Sequence, residues 1–206
     1  MKNRCVIIAG SPVFSAAEIT PGDYVIAADS GYRHALAAGI TPDLLIGDFD
    51  SLQGLPEKDI EIIKAPAEKD DTDTMLAIKH ALALGYQQFL LLGATGGRLD
   101  HQTANIAACA YIAEQGGSCK MQDSSNIIYV IKNSLLRLKK KENWSVSVFS
   151  YTEMAFGVTL AGLKYALNNA TLTNTDPLGV SNEFAEDIAT VEVKDGILLI
   201  ILSCLG

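Results

Sequence analysis

The chain predicts two domains, an α/β domain over residues 1–123 built on a mostly parallel sheet and a smaller all-β sandwich over residues 124–206. Three observations carry this. Up to about residue 122, continuously apolar runs of strand length alternate with helical stretches, the pattern of a parallel sheet covered on both faces. From Asn126 onward come short runs rich in β-branched and aromatic residues, separated by turn residues, with no convincing amphipathic helix. That texture is the mark of an antiparallel sandwich or barrel. Hydrophobic residues make up 49% of the 206 and charged residues 19%, ample material for both cores.

Taken in order, residues 4–9 read as a buried strand that breaks at Gly10-Ser11-Pro12. Residues 24–28 form a second strand, ending at Asp29-Ser30-Gly31 and leading into a helix over 32–38 that Gly39 stops. Residues 44–46 are a third strand and 60–64 a fourth, before Ala65-Pro66. Asp70-Asp71-Thr72-Asp73 opens a helix whose apolar face is Met75, Leu76, Ile78, Ala81 and Leu82, closed by Gly85. Residues 89–92 are a fifth strand ending in the run Gly93-Ala94-Thr95-Gly96-Gly97. A strong helix then runs from about Asp100 to Gln115, stopped by Gly116-Gly117. Helices on both faces of such a sheet make a Rossmann-like, three-layer domain. In the second domain the strand candidates are 127–131, 135–138, 144–149, 156–160, 190–193 and 197–202.

The net charge of −8 excludes a general nucleic-acid binder, because phosphate backbones demand a basic face. An anionic substrate would have to bring, or find, a metal ion. Cys5, Cys109, Cys119 and Cys204 lie far apart with no Cys-x-x-Cys pair, which fits neither a disulfide framework nor a zinc site. Reduced core thiols in the cytoplasm are expected. The apolar run 5–9 is too short for a signal peptide, and 197–202 falls far short of a membrane span. A soluble, cytoplasmic protein is the expectation.

The run Leu44-Leu45-Ile46-Gly47-Asp48-Phe49-Asp50-Ser51 organises the rest. Two carboxylates about 4 Å apart repel by roughly 4 kcal/mol at an effective dielectric near 20, an arrangement no core needs but a hard divalent cation does. An acidic turn after a strand is the plainer alternative. Ligands of parallel α/β sheets bind beyond the carboxyl ends of the strands. Four successive strand ends deliver chemistry to that edge: Asp29 and Ser30; Asp48 and Asp50; Asp70, Thr72 and Asp73; Gly96, Gly97, Arg98, Asp100 and His101. The segments 70–73 and 98–101 also begin helices, where free N–H groups and the dipole favour anions. Glycines 96 and 97 let backbone approach a phosphate, and Arg98 offers a planar fork for its oxygens. No lysine follows the glycine run and no G-x-G-x-x-G is present, so a nucleotide site would be of another kind. Each piece has a plain reading too: Asp73 and Asp100 as helix N-caps, Gly96-Gly97 as a turn, Arg98 paired with Asp100 on the surface. His34 and His80, on helices away from the strand ends, read as structural.

With Asp29-Ser-Gly, Gly47-Asp-Phe-Asp-Ser51, Lys69-Asp-Asp-Thr-Asp73 and Gly96-Gly-Arg-Leu-Asp-His101 in this order, the sequence resembles thiamine pyrophosphokinases. Gly162-Leu-Lys-Tyr-Ala-Leu-Asn-Asn169 and Gly179-Val-Ser-Asn-Glu183 look like that family's thiamine-side segments, so the resemblance covers nearly the whole chain. It implies that thiamine's hydroxyl attacks the β-phosphorus of Mg-ATP, the pyrophosphoryl group moves as a unit and AMP leaves. It places Asp48, Asp50, Asp70, Asp73 and Asp100 at the Mg²⁺ ion, with Asp48, Asp50, Asp73 and Asp100 also in catalysis. Asp73 and Asp100 share the role of candidate proton acceptor. Asp29, Ser30, Thr72, Gly96, Gly97, Arg98 and His101 would meet the ATP phosphates. Tyr165 would stack on the aminopyrimidine while Ser181 and Asn182 hydrogen-bond it; on the residues alone, these three read as a half-buried strand residue and a turn. The family implies a homodimer with thiamine between subunits.

Two departures stand out. Asp29-Ser30-Gly31 replaces the family's frequent Asp-Gly-Gly, and Gly10-Ser11-Pro12 replaces a glycine-richer turn. Neither removes a carboxylate. Two rival readings remain: a haloacid-dehalogenase-type phosphatase using Asp48 or Asp50 as covalent nucleophile, and a non-catalytic sensor of thiamine or nucleotide.

Overall fold

The computed structural model describes residues 4–48, 60–66 and 70–206. Asp50 and the motif residues Phe49, Ser51 and Lys69 lie outside the described residues. The chain divides into two compact units, Met1–Ser124 and Ser125–Gly206. No helix of the described residues is long and apolar enough to cross a membrane.

In the first unit the strands are β1 (Cys5–Ile8), β2 (Tyr24–Ala28), β3 (Leu44–Gly47), β4 (Glu61–Lys64), β5 (Gln88–Leu92) and β6 (Ser118–Gln122). The helices are α1 (Gly31–Ala37), α2 (Asp73–Ala83) and α3 (Leu99–Glu114). The strands lie side by side in the order β6-β5-β1-β2-β3-β4, each neighbouring pair parallel. β1 and β3 are buried along their whole length, and β5 beyond its first residue. Successive side chains of a strand point to opposite faces, so such strands need cover on both. α1 supplies it on one face, where Ala35 packs with Val6, Ile8, Leu90 and Leu92. Ile7 and Leu91, on alternate positions of the same strands, are equally buried at 0% exposure, and α2 packs against β1, β2 and β3.

Strand order decides where a ligand fits. From β1 the chain steps outward through β2, β3 and β4, then returns to the other side of β1 to lay down β5 and β6. Adjacent strands β1 and β5 thus send their chains in opposite directions. A crevice opens beyond the carboxyl ends at such a reversal.

The second unit is two antiparallel four-stranded sheets. One runs β12 (Gly179–Glu183), β9 (Trp144–Ser150), β14 (Ile197–Cys204), β7 (Asn126–Lys132). The other runs β11 (Leu167–Thr173), β10 (Met154–Ala161), β13 (Ile188–Glu192), β8 (Leu135–Lys139). Inward residues of both, including Val146, Val148, Leu198 and Ile200 from one and Val158, Leu160, Ala189 and Val191 from the other, share a core. Three strands have no counterpart among the sequence-predicted ones. β11 (Leu-Asn-Asn-Ala-Thr-Leu-Thr) and β12 (Gly-Val-Ser-Asn-Glu) are outer strands with mostly uncovered side chains, so they carry little apolar pattern. β6 (Ser-Cys-Lys-Met-Gln) fully buries only Cys119 and Met121.

All four cysteines are free; Cys5, Cys109 and Cys119 are buried and Cys204 is exposed. Burial pushes the Cys5 thiol up to about 12, helped by the nearby charges of Asp23 and Asp43. Burial also raises Cys119, whose Sγ lies 2.9 Å from Cys109 Sγ as a weak hydrogen bond. Thiolate is the reactive form. Titration of the native protein with a thiol reagent at neutral pH is therefore expected to label Cys204 rapidly, and the other three only after unfolding. Fast labelling of any buried cysteine would contradict this packing.

Candidate active site

A cavity of about 480 Å³ opens at the reversal. Its wall combines Gly10, Ser11 and Pro12 after β1, Asp29 and Ser30 after β2, Thr72 and Asp73 at the start of α2, and Gly96, Gly97 and Arg98 before α3. His101 and Asn105, one turn apart on α3, complete it.

Local backbone explains why these residues meet. Asp29 adopts φ 44, the left-handed region, while its N–H donates to the Ile46 carbonyl at 2.8 Å. Asp is among the side chains that tolerate this conformation best. It ends β2 with a carboxylate at the strand tip. Ser30 then begins α1, and Gly31 lies so close under β1 that a side chain there would strike the Ile8 carbonyl. Gly96 and Gly97 have φ of 78° and 73°, and a side chain on either would meet Val13 or Pro12 of the facing loop. Only glycine brings the two loops this close.

Two helices begin at the cavity, and their first N–H groups attract anions. Thr72 caps α2, its Oγ1 accepting from Met75 N at 3.2 Å. Its own hydroxyl hydrogen stays available to donate. Asp73 is the first residue of α2 and Asp100 the second of α3, so neither is the cap. Arg98 forks onto Asp100, with Nε donating to Oδ1 at 3.1 Å and Nη2 to Oδ2 at 2.6 Å. Those two bonds, with the His101 N–H as a further donor, hold the Asp100 carboxyl down at about 2 against the opposing effect of desolvation. The same pairing raises the Arg98 guanidinium. Both side chains are well exposed, so solvent and salt screen the pair and an arriving phosphate can compete for the fork.

Of the sequence-predicted phosphate and metal residues, the structure gathers Asp29, Ser30, Thr72, Asp73, Gly96, Gly97, Arg98 and His101 on one cavity wall. Asp48, Asp70 and Asp100 are not part of that wall. For Asp48 and Asp70 the reason is topological: they follow β3 and β4, the strands farthest from the reversal on that side. Sequence reasoning missed Ser11, Pro12 and Asn105. The position of β1 beside β5 would have flagged the first two, but strand order is not written in the sequence. His34, read as structural on a helix remote from the strand ends, does reach one. Its Nε2 donates to the Ser11 carbonyl at 2.8 Å and its ring stacks on Phe14.

Among the described residues no three His, Cys, Asp or Glu side chains are close enough to hold a metal by themselves. Asp29 and Asp73 on the wall would repel a bare polyphosphate, and a divalent cation relieves that repulsion.

In the second unit Asn182 is 3% exposed and ties two segments together. Its Oδ1 accepts from Tyr165 N and Glu183 N, both at 2.9 Å, and its Nδ2 donates to the Tyr165 carbonyl at 2.7 Å. Tyr165 is thereby held as a residue 62% exposed, Lys164 Nζ lying 5.6 Å from its ring centroid. Ser181 sits at φ 57 beside it, its N–H donating to Ser147 Oγ at 3.1 Å. The structure brings Tyr165, Ser181 and Asn182 into one neighbourhood.

Two family models match in succession. The thiamin pyrophosphokinase catalytic domain matches residues 17–121 and the thiamin pyrophosphokinase vitamin B1 binding domain matches residues 133–198. The chain belongs to the thiamine pyrophosphokinase family. A thiamine pyrophosphokinase from Bacillus subtilis is 34% identical over 185 residues, 86% of each chain. A crystal structure of the enzyme of that name from Bacillus subtilis superposes with a TM-score of 0.88 at 29% identity, covering 98% of this chain and 99% of that one. The thiamin pyrophosphokinase from Geobacillus thermodenitrificans superposes at 0.86 with 28% identity, covering 98% and 97%. The thiamin pyrophosphokinase from Candida albicans, 17% identical with a TM-score of 0.78 over 98% of this chain and 89% of that one, shares the fold. Thiamine pyrophosphokinase membership favours neither the phosphatase nor the sensor reading.

The Arg98–Asp100 fork gives a direct check. Asp100 is expected to titrate near 2 by carboxyl NMR, and Arg98→Met to return it towards the ordinary carboxylate range. Because the folded-state value is depressed, the pair's contribution is present above the unfolded Asp value and is lost as pH falls towards 2. An unchanged titration in Arg98→Met would mean that the fork is not formed in solution.

Proposed function

We propose that the chain transfers the pyrophosphoryl group of ATP to the primary hydroxyl of thiamine, giving thiamine diphosphate and AMP, with Mg²⁺ as the resident ion. Family membership makes it a thiamine diphosphokinase. The observation that carries it is the convergence of two helix starts, a glycine pair, Arg98 and two carboxylates on one cavity at the sheet reversal. Phosphoryl transfer needs little covalent help from protein. It needs phosphates positioned, charge neutralised and the nucleophile aligned.

In this reading the backbone of Gly96-Gly97 and the starts of α2 and α3 orient the polyphosphate. Arg98 swings from Asp100 to a phosphate, and Ser30, Thr72 and His101 donate to others. Asp48 and Asp50 would hold the ion with Asp70 beside them, and Asp29 adds charge from the cavity wall. When bound, Mg²⁺ supplies neutralisation of the phosphate oxygens. The thiamine hydroxyl oxygen bonds to the β-phosphorus while the bond from β-phosphorus to the bridging oxygen breaks, its electron pair leaving on AMP. Asp73 takes the hydroxyl proton. Asp73 lies on the cavity wall with the phosphate-binding residues, and Asp100 does not.

Tyr165 stacks on the aminopyrimidine, an aromatic face suiting a flat, partly cationic ligand. Ser181 hydrogen-bonds it, and Asn182 contributes chiefly by fixing Tyr165, with one amide hydrogen left for the ligand. We place the reaction in a cytoplasmic homodimer with thiamine between subunits. Leu178 and Val180, exposed by 62% and 46% at the outer strand β12, supply apolar surface for a second copy.

Incubation with thiamine, ATP and Mg²⁺ is expected to yield AMP in step with thiamine diphosphate. ADP with thiamine monophosphate would overturn the pyrophosphoryl step. Asp73→Asn is expected to lower kcat by roughly 10²–10⁴ with thiamine binding kept, the usual span for loss of a proton acceptor. Asp48→Asn is expected to lose turnover while still binding thiamine; unchanged turnover would remove it from the site.

A further inference from the structure

Asn105 is a polar side chain only 6% exposed, lining the cavity from the second turn of α3. Its Nδ2 donates to the Ala94 carbonyl at 2.8 Å. A carbonyl only accepts, so the amide orientation is fixed by this bond. Among the described residues no side chain or backbone group donates to its Oδ1, and that oxygen is not among the buried side-chain atoms cut off from solvent. The open space this residue lines is the cavity. An amide oxygen that no protein group meets is left to accept from water or from a ligand in that space.

The chemistry of Oδ1 selects what that is. At neutral pH phosphate oxygens are acceptors, and an amide oxygen cannot bond them. The anion-binding features lie elsewhere on the wall, at Gly96-Gly97, Arg98 and the starts of α2 and α3. Asn105 is a full turn further along α3 than His101. We propose that Asn105 reads the nucleoside half of the nucleotide, its Oδ1 accepting from a ribose hydroxyl or from the exocyclic amine of the base, while its Nδ2 anchors the glycine loop through Ala94. This rests on the nucleotide reading of the cavity.

The test is a cycle between side chain and ligand. Binding of ATP, 2′-deoxy-ATP, 3′-deoxy-ATP and inosine triphosphate to the full chain is measured by calorimetry, for wild type and Asn105→Ala, in Mg²⁺ without thiamine. Loss of one neutral hydrogen bond corresponds to roughly three- to tenfold in affinity. Wild type is expected to lose about that factor with one of the three analogues, and the one affected identifies ribose or base as the donor. Asn105→Ala is expected to bind that analogue and ATP alike. A merely structural role would weaken all four nucleotides equally and leave the ratios at their wild-type values, which would overturn the proposal. Asn105→Asp, which keeps an acceptor oxygen but faces Ala94 with a second one, is the companion variant. It is expected to preserve discrimination while weakening all ligands. Should neither variant fold, the wild-type panel decides by itself: equal affinity for all four nucleotides overturns the proposal. No binding of ATP at all would overturn the nucleotide reading and this inference with it.

Discussion

The return of the chain across β1 governs the rest of this structure. Because β2, β3 and β4 build outward on one side and β5 and β6 on the other, β1 and β5 are neighbours whose chains leave in opposite directions. The loops beyond them cannot cover each other's strand ends, and the opening collects whatever side chains the loops carry. Here they carry Ser11 and Pro12 from one side and Gly96, Gly97 and Arg98 from the other. Left-handed glycines let the loops pack together, and α2 and α3 begin at the same place. Phosphate-binding features on one cavity wall thus follow from strand order.

Much of this was legible in the residues. Continuously apolar β1, β2, β3 and β5 announced a covered parallel sheet, and the breaks after them announced where ligand chemistry would collect. Asp29, Asp73, Arg98 and His101 line one cavity because strand ends of a parallel sheet share one side. What stayed hidden was which ends adjoin. Sequence ranks the strands one to six; space interleaves them. That is why the residues alone do not point to Ser11 and Asn105, and why His34 reads as remote from the strand ends although it bonds the Ser11 carbonyl. Pairings of side chain to backbone, such as Asn105 to Ala94, leave no periodic signal at all.

The second unit shows the complementary failure. Its inner strands were visible through β-branched residues, whereas β11 and β12, outer and polar, were not. Yet β12 holds Ser181 and Asn182, two of the residues the resemblance singled out. Asn182 there reads as a turn residue in sequence but is buried and binds both backbone groups of Tyr165. Outer strands escape hydrophobic pattern because their side chains stay half in water, and for that reason they are free to carry recognition. On the proposed reading, one unit positions phosphate and the other presents an aromatic face to thiamine.

The most direct measurement is a crystal structure with Mg²⁺ and an ATP analogue whose bond between α- and β-phosphorus cannot be cleaved. The account predicts the phosphates against Gly96-Gly97 and the starts of α2 and α3, with Arg98 turned from Asp100 onto a phosphate oxygen. A nucleotide bound anywhere other than the opening between the β1 and β5 loops, with the Arg98–Asp100 fork intact, would contradict it.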